Sequence, residues 1–447
     1  MASAAEQLAA NINFSAFGKA TELKQRIWFT LGALIVYRLG TYIPLPGIDA
    51  VALQDIFSRQ AGGVLGMFDM FAGGALSRMT IFALNIMPYI SASIIMQLMS
   101  AMSPQLAAIK KEGEAGRKKI NQYTRYLTVL ITILQAYGIA VGLEGMTASS
   151  GPAVHDAGVF FRFTTVVTLT GGTLFLMWLG EQITARGVGN GISLIIFAGI
   201  VANLPSALAG TLELGRTGAL STLFIIFLLV MAAGVIFFIV FMERAQRRII
   251  VQYPKRQQGN KVMGGESSHL PLKLNTAGVI PPIFASSLLL MPVTIIGFSA
   301  GSGPEWLTTA ASYLGRGQPV YLAIYIGLIV FFAFFYTAVV FNPTETADNL
   351  KKYGGFVPGI RPGANTAEYL DRVLTRLTVL GAGYLALVCL LPEILISQYS
   401  VPFYFGGTSL LIVVTVTMDT VSQIQSHLLA HQYEGLIKKS KLKGRRG

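Results

Sequence analysis

The chain has 447 residues, of which 53% are hydrophobic and only 12% are charged, about half the charged fraction of an ordinary soluble domain. Too few charges remain to cover a soluble surface, while the apolar content excludes a disordered chain and the single cysteine excludes a disulfide scaffold. The formal net charge of +13 is the second constraint, because the positions of basic residues report the orientation of a membrane protein.

Ten segments are predicted to be membrane-spanning helices, each of which needs about 20 mostly apolar residues. In the first half of the chain they centre on Ile27–Ile43, Ile81–Met102, Tyr126–Leu143, Phe163–Gly180 and Val188–Leu208. In the second half they centre on Leu220–Met242, Ala277–Phe298, Val320–Phe341, Leu377–Leu391 and Tyr404–Met418. The predicted fold class is therefore all-α and polytopic, since a membrane barrel would show short alternating strands instead.

The basic residues fall on one side of these ten predicted spans. Three precede the first span, six separate the second from the third, one follows the fourth, seven follow the sixth, five flank the entry of the ninth and six lie in the tail. Those groups hold 28 of the 34 Lys and Arg residues. Because Lys and Arg are retained in the cytoplasm, residues 1–26 are predicted as a cytoplasmic N-terminal segment and residues 428–447 as a basic cytoplasmic tail.

Ten spans divide into two five-helix halves, residues 27–212 and 213–427, that must insert in opposite orientations. The second span of each half contains proline within a similar stretch, Ile86–Ser93 in the first half and Val279–Ser286 in the second. Pro, Ile, Ala and Ser coincide in these stretches, although so short an apolar match can also arise by chance. Inverted repeats place their working site where the halves meet, so we expect two kinked helices to face each other there.

Ionisable residues inside the predicted spans are few and lie near helix ends, where snorkelling or capping explains them. They are Arg38, Glu181, Glu243 and Asp419. A coupled carrier or an intramembrane enzyme would bury such groups near mid-membrane. No cysteine or acid completes a metal site with His427 and His431, and no GxxxxGK[ST] loop occurs, so we expect no enzyme activity, cofactor or metal. An inverted-repeat secondary transporter stays open, since some carriers bind sodium through backbone carbonyls.

Three segments between the spans have distinct features. Met67–Arg78 is apolar but broken by glycines, so it is predicted to re-enter and pack inside the protein instead of crossing the membrane. Gly187–Gly191 has the wrong spacing for a dinucleotide loop and is predicted as a tight turn into the fifth span. The basic loop Arg244–Lys273 is longer than topology requires, so it is either a docking surface or only a topology signal.

Eight stretches carry a resemblance to a known family. They are Tyr42–Asp49, Gly73–Arg78, Met87–Ile94, Lys110–Glu114, Gln122–Tyr126, Gly189–Ser193, Pro358–Gly363 and Tyr404–Ser409. The chain resembles the SecY/Sec61-alpha family, the channel subunits of the general protein-translocation complex, from about Leu23 to Lys443. The resemblance implies two pseudo-symmetric halves in a clamshell with a lateral gate between the second and seventh helices.

The resemblance also implies site residues for such a channel. A constricting pore ring would comprise Ile86, Ile90, Ile192, Ile196, Ile283 and Ile412. The plug, at about residues 67–78, would include Met67, Phe68, Met70, Phe71, Gly73, Gly74, Leu76, Ser77 and Arg78. The lateral gate would involve Pro88, Ser91, Gln97, Asn275, Pro281, Pro282 and Ser286. Simple helix packing explains the gate's polar residues almost equally well.

Partners follow from the same resemblance. Cytoplasmic docking loops at about residues 244–273 and 342–369 would bind the SecA ATPase or a ribosome with its nascent chain, through Arg361, Lys255, Arg256, Lys351 and Lys352. The chain would form a heterotrimer with SecE and SecG in the phospholipid bilayer of the bacterial inner membrane. It would pass secretory preproteins with signal peptides, and SecDF and YidC are further expected partners.

Overall fold

The computed structural model describes residues 20–60, 69, 71–148, 151–218, 221–254, 256–258, 261–263, 267–299, 309, 313, 318–399 and 407–443. The helices of the first half are α1 (Thr21–Gly40), α2 (Ala50–Gln60), α3 (Met87–Met102), α4 (Pro104–Lys111), α5 (Glu114–Glu144), α6 (Val159–Arg186) and α7 (Gly191–Arg216). Those of the second half are α8 (Thr222–Arg244), α9 (Ile280–Ser299), α10 (Pro319–Val340), α11 (Pro343–Lys352), α12 (Ala364–Tyr399) and α13 (Gly407–Lys443).

Short antiparallel hairpins connect some of these helices. The strands β1 (Thr147–Ala148) and β2 (Gly151–Pro152) pair between α5 and α6. Between α8 and α9, β3 (Gln246–Gln252) pairs with β6 (Ser267–Lys273), and β4 (Arg256–Gln258) pairs with β5 (Lys261–Met263). The long basic loop predicted after the sixth span is therefore a β-hairpin in its described residues.

Every predicted span overlaps a helix, but not every helix passes a strict test of length and hydropathy. Seven of the described helices do so, and α3 together with α4 makes an eighth if this pair, bent by 99°, counts as one span. The charged residues Glu22, Lys24 and Arg26 lower the hydropathy of α1, and α9 counts as a shorter apolar helix over Ile280–Leu289. The chain is thus a multi-pass helical membrane protein, and the full count of ten remains a prediction.

The structure corrects the second predicted span and the expected proline kinks. Residues 81–86 form turns, and α3 begins only at Met87, with Pro88 in its first turn. Pro281 and Pro282 likewise occupy the first turn of α9. A proline there lacks an N–H that would in any case have no helical partner, so it starts a helix without bending it. The shared prolines therefore mark equivalent helix starts.

Helix contacts repeat between the two halves. In the first half α1 contacts α6 and α7, α3 contacts α5, α5 contacts α6, and α6 contacts α7. In the second half α8 contacts α12 and α13, α9 contacts α10, α10 contacts α12, and α12 contacts α13. Taken in chain order, the five spanning helices of each half thus pack in the same way. This arrangement agrees with the predicted pseudo-symmetric halves.

The halves meet on two sides of the molecule. On one side α9 packs against α3 and α5, and on the other α13 packs against α1 and α7. The predicted tight turn into the fifth span lies on the second side, where Asn190 caps α7 and Gly189 has a φ of +89°. The Gly189 N–H donates to Gln423 Oε1 of α13 at 2.9 Å. The turn prediction is confirmed, and the turn also ties the first half to the last helix.

Candidate functional site

The six isoleucines expected to form a constriction lie in one hydrophobic cluster. Ile86, Ile90, Ile196, Ile283 and Ile412 are buried in it, and Ile192 packs against it half-buried. Ile86 is the N-cap residue of α3, Ile90 lies one turn later, and the others come from α7, α9 and α13. The structure therefore gathers these side chains from both halves into the apolar interior. Their role as a ring remains a prediction, because the cluster is large.

The described residues of the segment expected to be a plug are buried or half-buried, while Met67, Phe68 and Met70 lie outside the described residues. Phe71, Gly73 and Leu76 are buried, and Gly74, Ser77 and Arg78 are half-buried. Asp69 Oδ1 accepts hydrogen bonds from the backbone N–H groups of Leu76 (3.0 Å) and Ser77 (2.8 Å), which closes the segment on itself. Burial raises the pKa of the Asp69 carboxyl, against the opposing effect of these bonds.

Three consecutive carbonyl groups of this segment accept hydrogen bonds from side chains outside it. Asn85 Nδ2 donates to Phe71 O (2.6 Å), the Tyr37 hydroxyl to Ala72 O (3.5 Å) and Arg38 Nη1 to Gly73 O (3.0 Å). Tyr37 and Arg38 belong to α1, whereas Asn85 directly precedes the N-cap of α3. Arg38 lies in the last turn of α1, as expected, and its guanidinium also bonds to the backbone of this segment, which the sequence did not predict.

Glycines allow this segment to approach α7 closely. Gly73 has a φ of +66°, and a Cβ at this position would lie 2.9 Å from Gly199 Cα of α7. A Cβ on Gly199 would in turn lie 2.6 Å from Phe71 O. Side chains at either position would collide with backbone, so the segment fits against α7 only with glycine at both.

One buried hydrogen bond joins the two helices expected to form the lateral gate. Ser91 Oγ of α3 and Ser287 Oγ of α9 are 3.0 Å apart, and both residues are buried. Pro88, Pro281 and Pro282 are also buried at the starts of these helices. Sequence reasoning missed Ser287, although it lies next to Ser286 in the repeated stretch.

The other polar residues expected at the gate bond within their own half of the protein. Gln97 Nε2 donates to Ser93 Oγ of the same helix (3.3 Å), and the Ser286 hydroxyl donates to Ile283 O (3.0 Å). Asn275 Nδ2 donates to Glu243 Oε1 at the end of α8 (2.7 Å). Among the described residues, Ser91 is therefore the one predicted gate residue whose side chain forms a hydrogen bond to the opposite half.

The two loops expected to dock partners form one structural unit. Gln252 at the end of β3 and Phe356 exchange two backbone hydrogen bonds, of 2.9 and 3.0 Å. A small hydrophobic cluster packs β3 and β6 against the second loop and the start of α12. It comprises Ile249, Leu272, Val357, Leu370, Val373, Leu374 and Leu377. The hairpin is therefore held in a fixed position beside the residues 353–363.

Basic side chains cover the outside of this unit. Arg361, Lys351 and Lys352 are exposed, Arg256 lies in β4 with its side chain outside the described atoms, and Lys255 lies outside the described residues. Sequence reasoning did not single out Arg247 and Arg248, which are exposed on β3, where Ile249 and Val251 point inward. The described part of this unit thus presents a basic surface suited to an acidic or nucleic-acid partner.

Comparison with known proteins identifies the family. The sequence profile of the family described as SecY matches residues 80–421. The chain is 58% identical over 431 residues to the protein translocase subunit SecY of Escherichia coli (strain K12), covering 96% of this chain and 97% of that protein. The chain belongs to the SecY family. A second SecY, from Rickettsia typhi, is 56% identical over 424 residues, covering 95% of this chain and 98% of that protein.

Solved structures share the SecY fold at low sequence identity. One described as a protein-conducting channel aligns with a TM-score of 0.65 at 18% identity, covering 91% of this chain and 92% of that one. Another, Sec61 in a canine ribosome–channel complex, aligns with a TM-score of 0.62 at 17% identity over the same fractions. In both alignments the shared fold covers 91% of this chain.

Proposed function

We propose that the chain is the central pore-forming subunit of a SecYEG translocase, a passive gated channel for unfolded polypeptides. The observation that carries this proposal is the meeting of two similarly packed halves at α3 and α9, with a folded-in segment filling the interior beside an apolar cluster. A full-length relative named protein translocase subunit SecY supports it. The proposed channel moves preproteins across the membrane and has no catalytic role of its own.

An apolar ring suits such a channel. Branched side chains at a neck exclude water and ions by dewetting, yet they form no specific bond with a passing polypeptide. The isoleucines Ile86, Ile90, Ile192, Ile196, Ile283 and Ile412 provide this chemistry from both halves. At rest, residues 67–78 act as the plug that fills the outer vestibule. A polypeptide of any sequence can then pass once the plug has moved.

The interface between α3 and α9 suits lateral release. The serine hydroxyl pair is a weak link, since interhelical hydrogen bonds in membranes average about 0.6 kcal/mol. A signal sequence that enters the gate replaces lipid-like contacts, and each Leu gains about 0.3–0.6 kcal/mol at the membrane centre. Charged residues lose several times as much there, so apolar segments leave into lipid and polar ones cross.

Energy and partners come from outside the chain. The basic unit formed by the two loops suits docking of SecA or of a ribosome with its nascent chain, and the relative seen as Sec61 in a ribosome–channel complex supports the second partner. We place the chain in the bacterial inner membrane with SecE and SecG, both termini cytoplasmic, since 28 of its 34 basic residues lie on that predicted side.

Reconstitution tests this proposal. Vesicles that contain the purified chain with SecE and SecG should import an unfolded secretory preprotein when SecA and ATP are added, and should not import it without ATP. Vesicles without the chain are the control. Saturable uptake of a small solute, with no preprotein import, would instead favour the inverted-repeat transporter.

A further inference from the structure

Asn85 connects the plug segment to the gate helix and has a backbone conformation that few residues adopt. Its φ is +49°, in the left-handed region, where Asn and Asp are tolerated better than other residues with a side chain. It is 1% exposed and directly precedes Ile86, the N-cap residue of α3. A turn of this kind sets the direction in which α3 leaves the segment.

The Asn85 side chain makes one strong contact and leaves one group without a partner. Nδ2 donates to Phe71 O at 2.6 Å, across 14 residues of chain. Oδ1 is buried and has no hydrogen-bond partner among the described residues. A buried acceptor without a partner is destabilising, so this side chain is not placed to maximise stability. Its donor is placed to hold the plug segment.

The Phe71 carbonyl is confined from two sides. Gly199 of α7 lies so close that a Cβ there would be 2.6 Å from Phe71 O. From the other side, Asn85 Nδ2 donates a hydrogen bond to the same oxygen. The next two carbonyls bond to Tyr37 and Arg38, which both belong to α1. Among these three donors, Asn85 is the one whose chain leads directly into the gate helix α3.

We propose that Asn85 is a positioning residue that couples the gate helix to the plug. With the gate closed, its amide holds Phe71 O. When α3 moves away from α9, the amide is withdrawn and Phe71 O is released. This inference rests on the proposed function, because it takes residues 67–78 as the seal of the channel.

An acidic substitution turns this coupling into a measurable pH dependence. In Asn85→Asp, a protonated carboxyl can still donate to Phe71 O, whereas an ionised carboxylate is repelled by it. Burial raises the pKa of such a carboxyl, so the resting ion conductance in planar bilayers should rise between about pH 5 and pH 8. The nearby charged residues Asp69, Arg38 and Arg78 can also change the conductance with pH. The conductance of the unsubstituted protein, which contains all three, is therefore measured over the same pH range and subtracted.

A glycine substitution provides the matched comparison. Asn85→Gly keeps the left-handed backbone and removes the whole side chain, including the donor, so it should leak at every pH. We expect about a tenfold rise in resting conductance, equivalent to about 1.4 kcal/mol for one lost hydrogen bond. Preprotein import by both variants shows that they are folded. A purely structural role for Asn85 would not produce a leak that pH switches reversibly in one variant alone.

Deletion of residues 67–78 distinguishes a failure of this inference from a failure of the proposed function. If the deletion leaves resting conductance unchanged, the segment is not a seal and the proposed plug is refuted. A second outcome is that the deletion raises the conductance while Asn85→Asp and Asn85→Gly keep the resting conductance of the unsubstituted protein at every pH. That result would support the plug and refute the role of Asn85. Leak in both variants, reversed by acid only in Asn85→Asp, supports the coupling.

Discussion

Oxidation of a Ser91→Cys, Ser287→Cys double variant should stop preprotein import, and reduction should restore it. The two hydroxyl oxygens are 3.0 Å apart in a buried contact between α3 and α9. Cysteines at these positions have their Sγ atoms close enough for a disulfide after a small adjustment, since a disulfide needs Cβ atoms about 3.5–4.5 Å apart. A covalent link replaces a weak hydrogen bond and holds the halves together at the proposed gate.

The single cysteine variants are the controls for this experiment. Each keeps Cys389, which is buried in α12, and adds only one engineered cysteine. A single engineered cysteine cannot form the disulfide between α3 and α9. Oxidised single variants should import at the rate of the unsubstituted protein. Full import by the oxidised double variant, with the disulfide verified by gel mobility, would show that α3 and α9 need not separate.

Reversal of charge at Arg361 should abolish import driven by SecA while leaving the protein folded. The Arg361 side chain is exposed and forms no hydrogen bond or ion pair with the described residues, while its carbonyl oxygen accepts a hydrogen bond from Thr366 Oγ1 at 2.9 Å. Gly359 and Gly363, with φ of +83° and +109°, shape the loop around it. Arg361→Glu therefore changes a surface charge at the proposed docking site, with an expected stability change within about 0.5 kcal/mol.

A charge reversal on the opposite face serves as the matched control. Arg216 at the end of α7 has a side chain 80% exposed and forms an ion pair with Glu213, and exposed pairs contribute about 0–1 kcal/mol. Arg216→Glu should leave import unchanged, and Arg361→Lys should retain part of it because the charge is kept. Normal SecA-driven import by Arg361→Glu would remove Arg361 from the docking surface.

Features that depend on a local stretch of sequence were predictable. An apolar run of about 20 residues is enough to predict a spanning helix, so each predicted span falls on a helix. The glycine-broken stretch before α3 was likewise predictable as a segment packed inside the protein, and its described residues are buried or half-buried. In both cases composition within one segment determines the outcome.

Features that depend on a distant backbone group were not predictable. Arg38 lies near the end of its helix as expected, but its bond to Gly73 O could not be predicted, because no side-chain pattern in the sequence indicates that carbonyl. Ser287 could not be preferred over Ser286 until the faces of α3 and α9 were paired. The contact between the two loops depends on backbone hydrogen bonds between Gln252 and Phe356. Backbone groups are the same in nearly every residue, so the amino-acid types do not indicate these bonds.

Photo-cross-linking of a preprotein stalled during import tests the central claim most directly. A photoreactive residue at Ile283, in the apolar cluster where the halves meet, should capture the polypeptide in transit. The same residue at Phe237 of α8, whose side chain is 74% exposed on the outside of the bundle, should capture lipid instead. Capture of the preprotein at Phe237 and not at Ile283 would contradict a path through the centre of the protein.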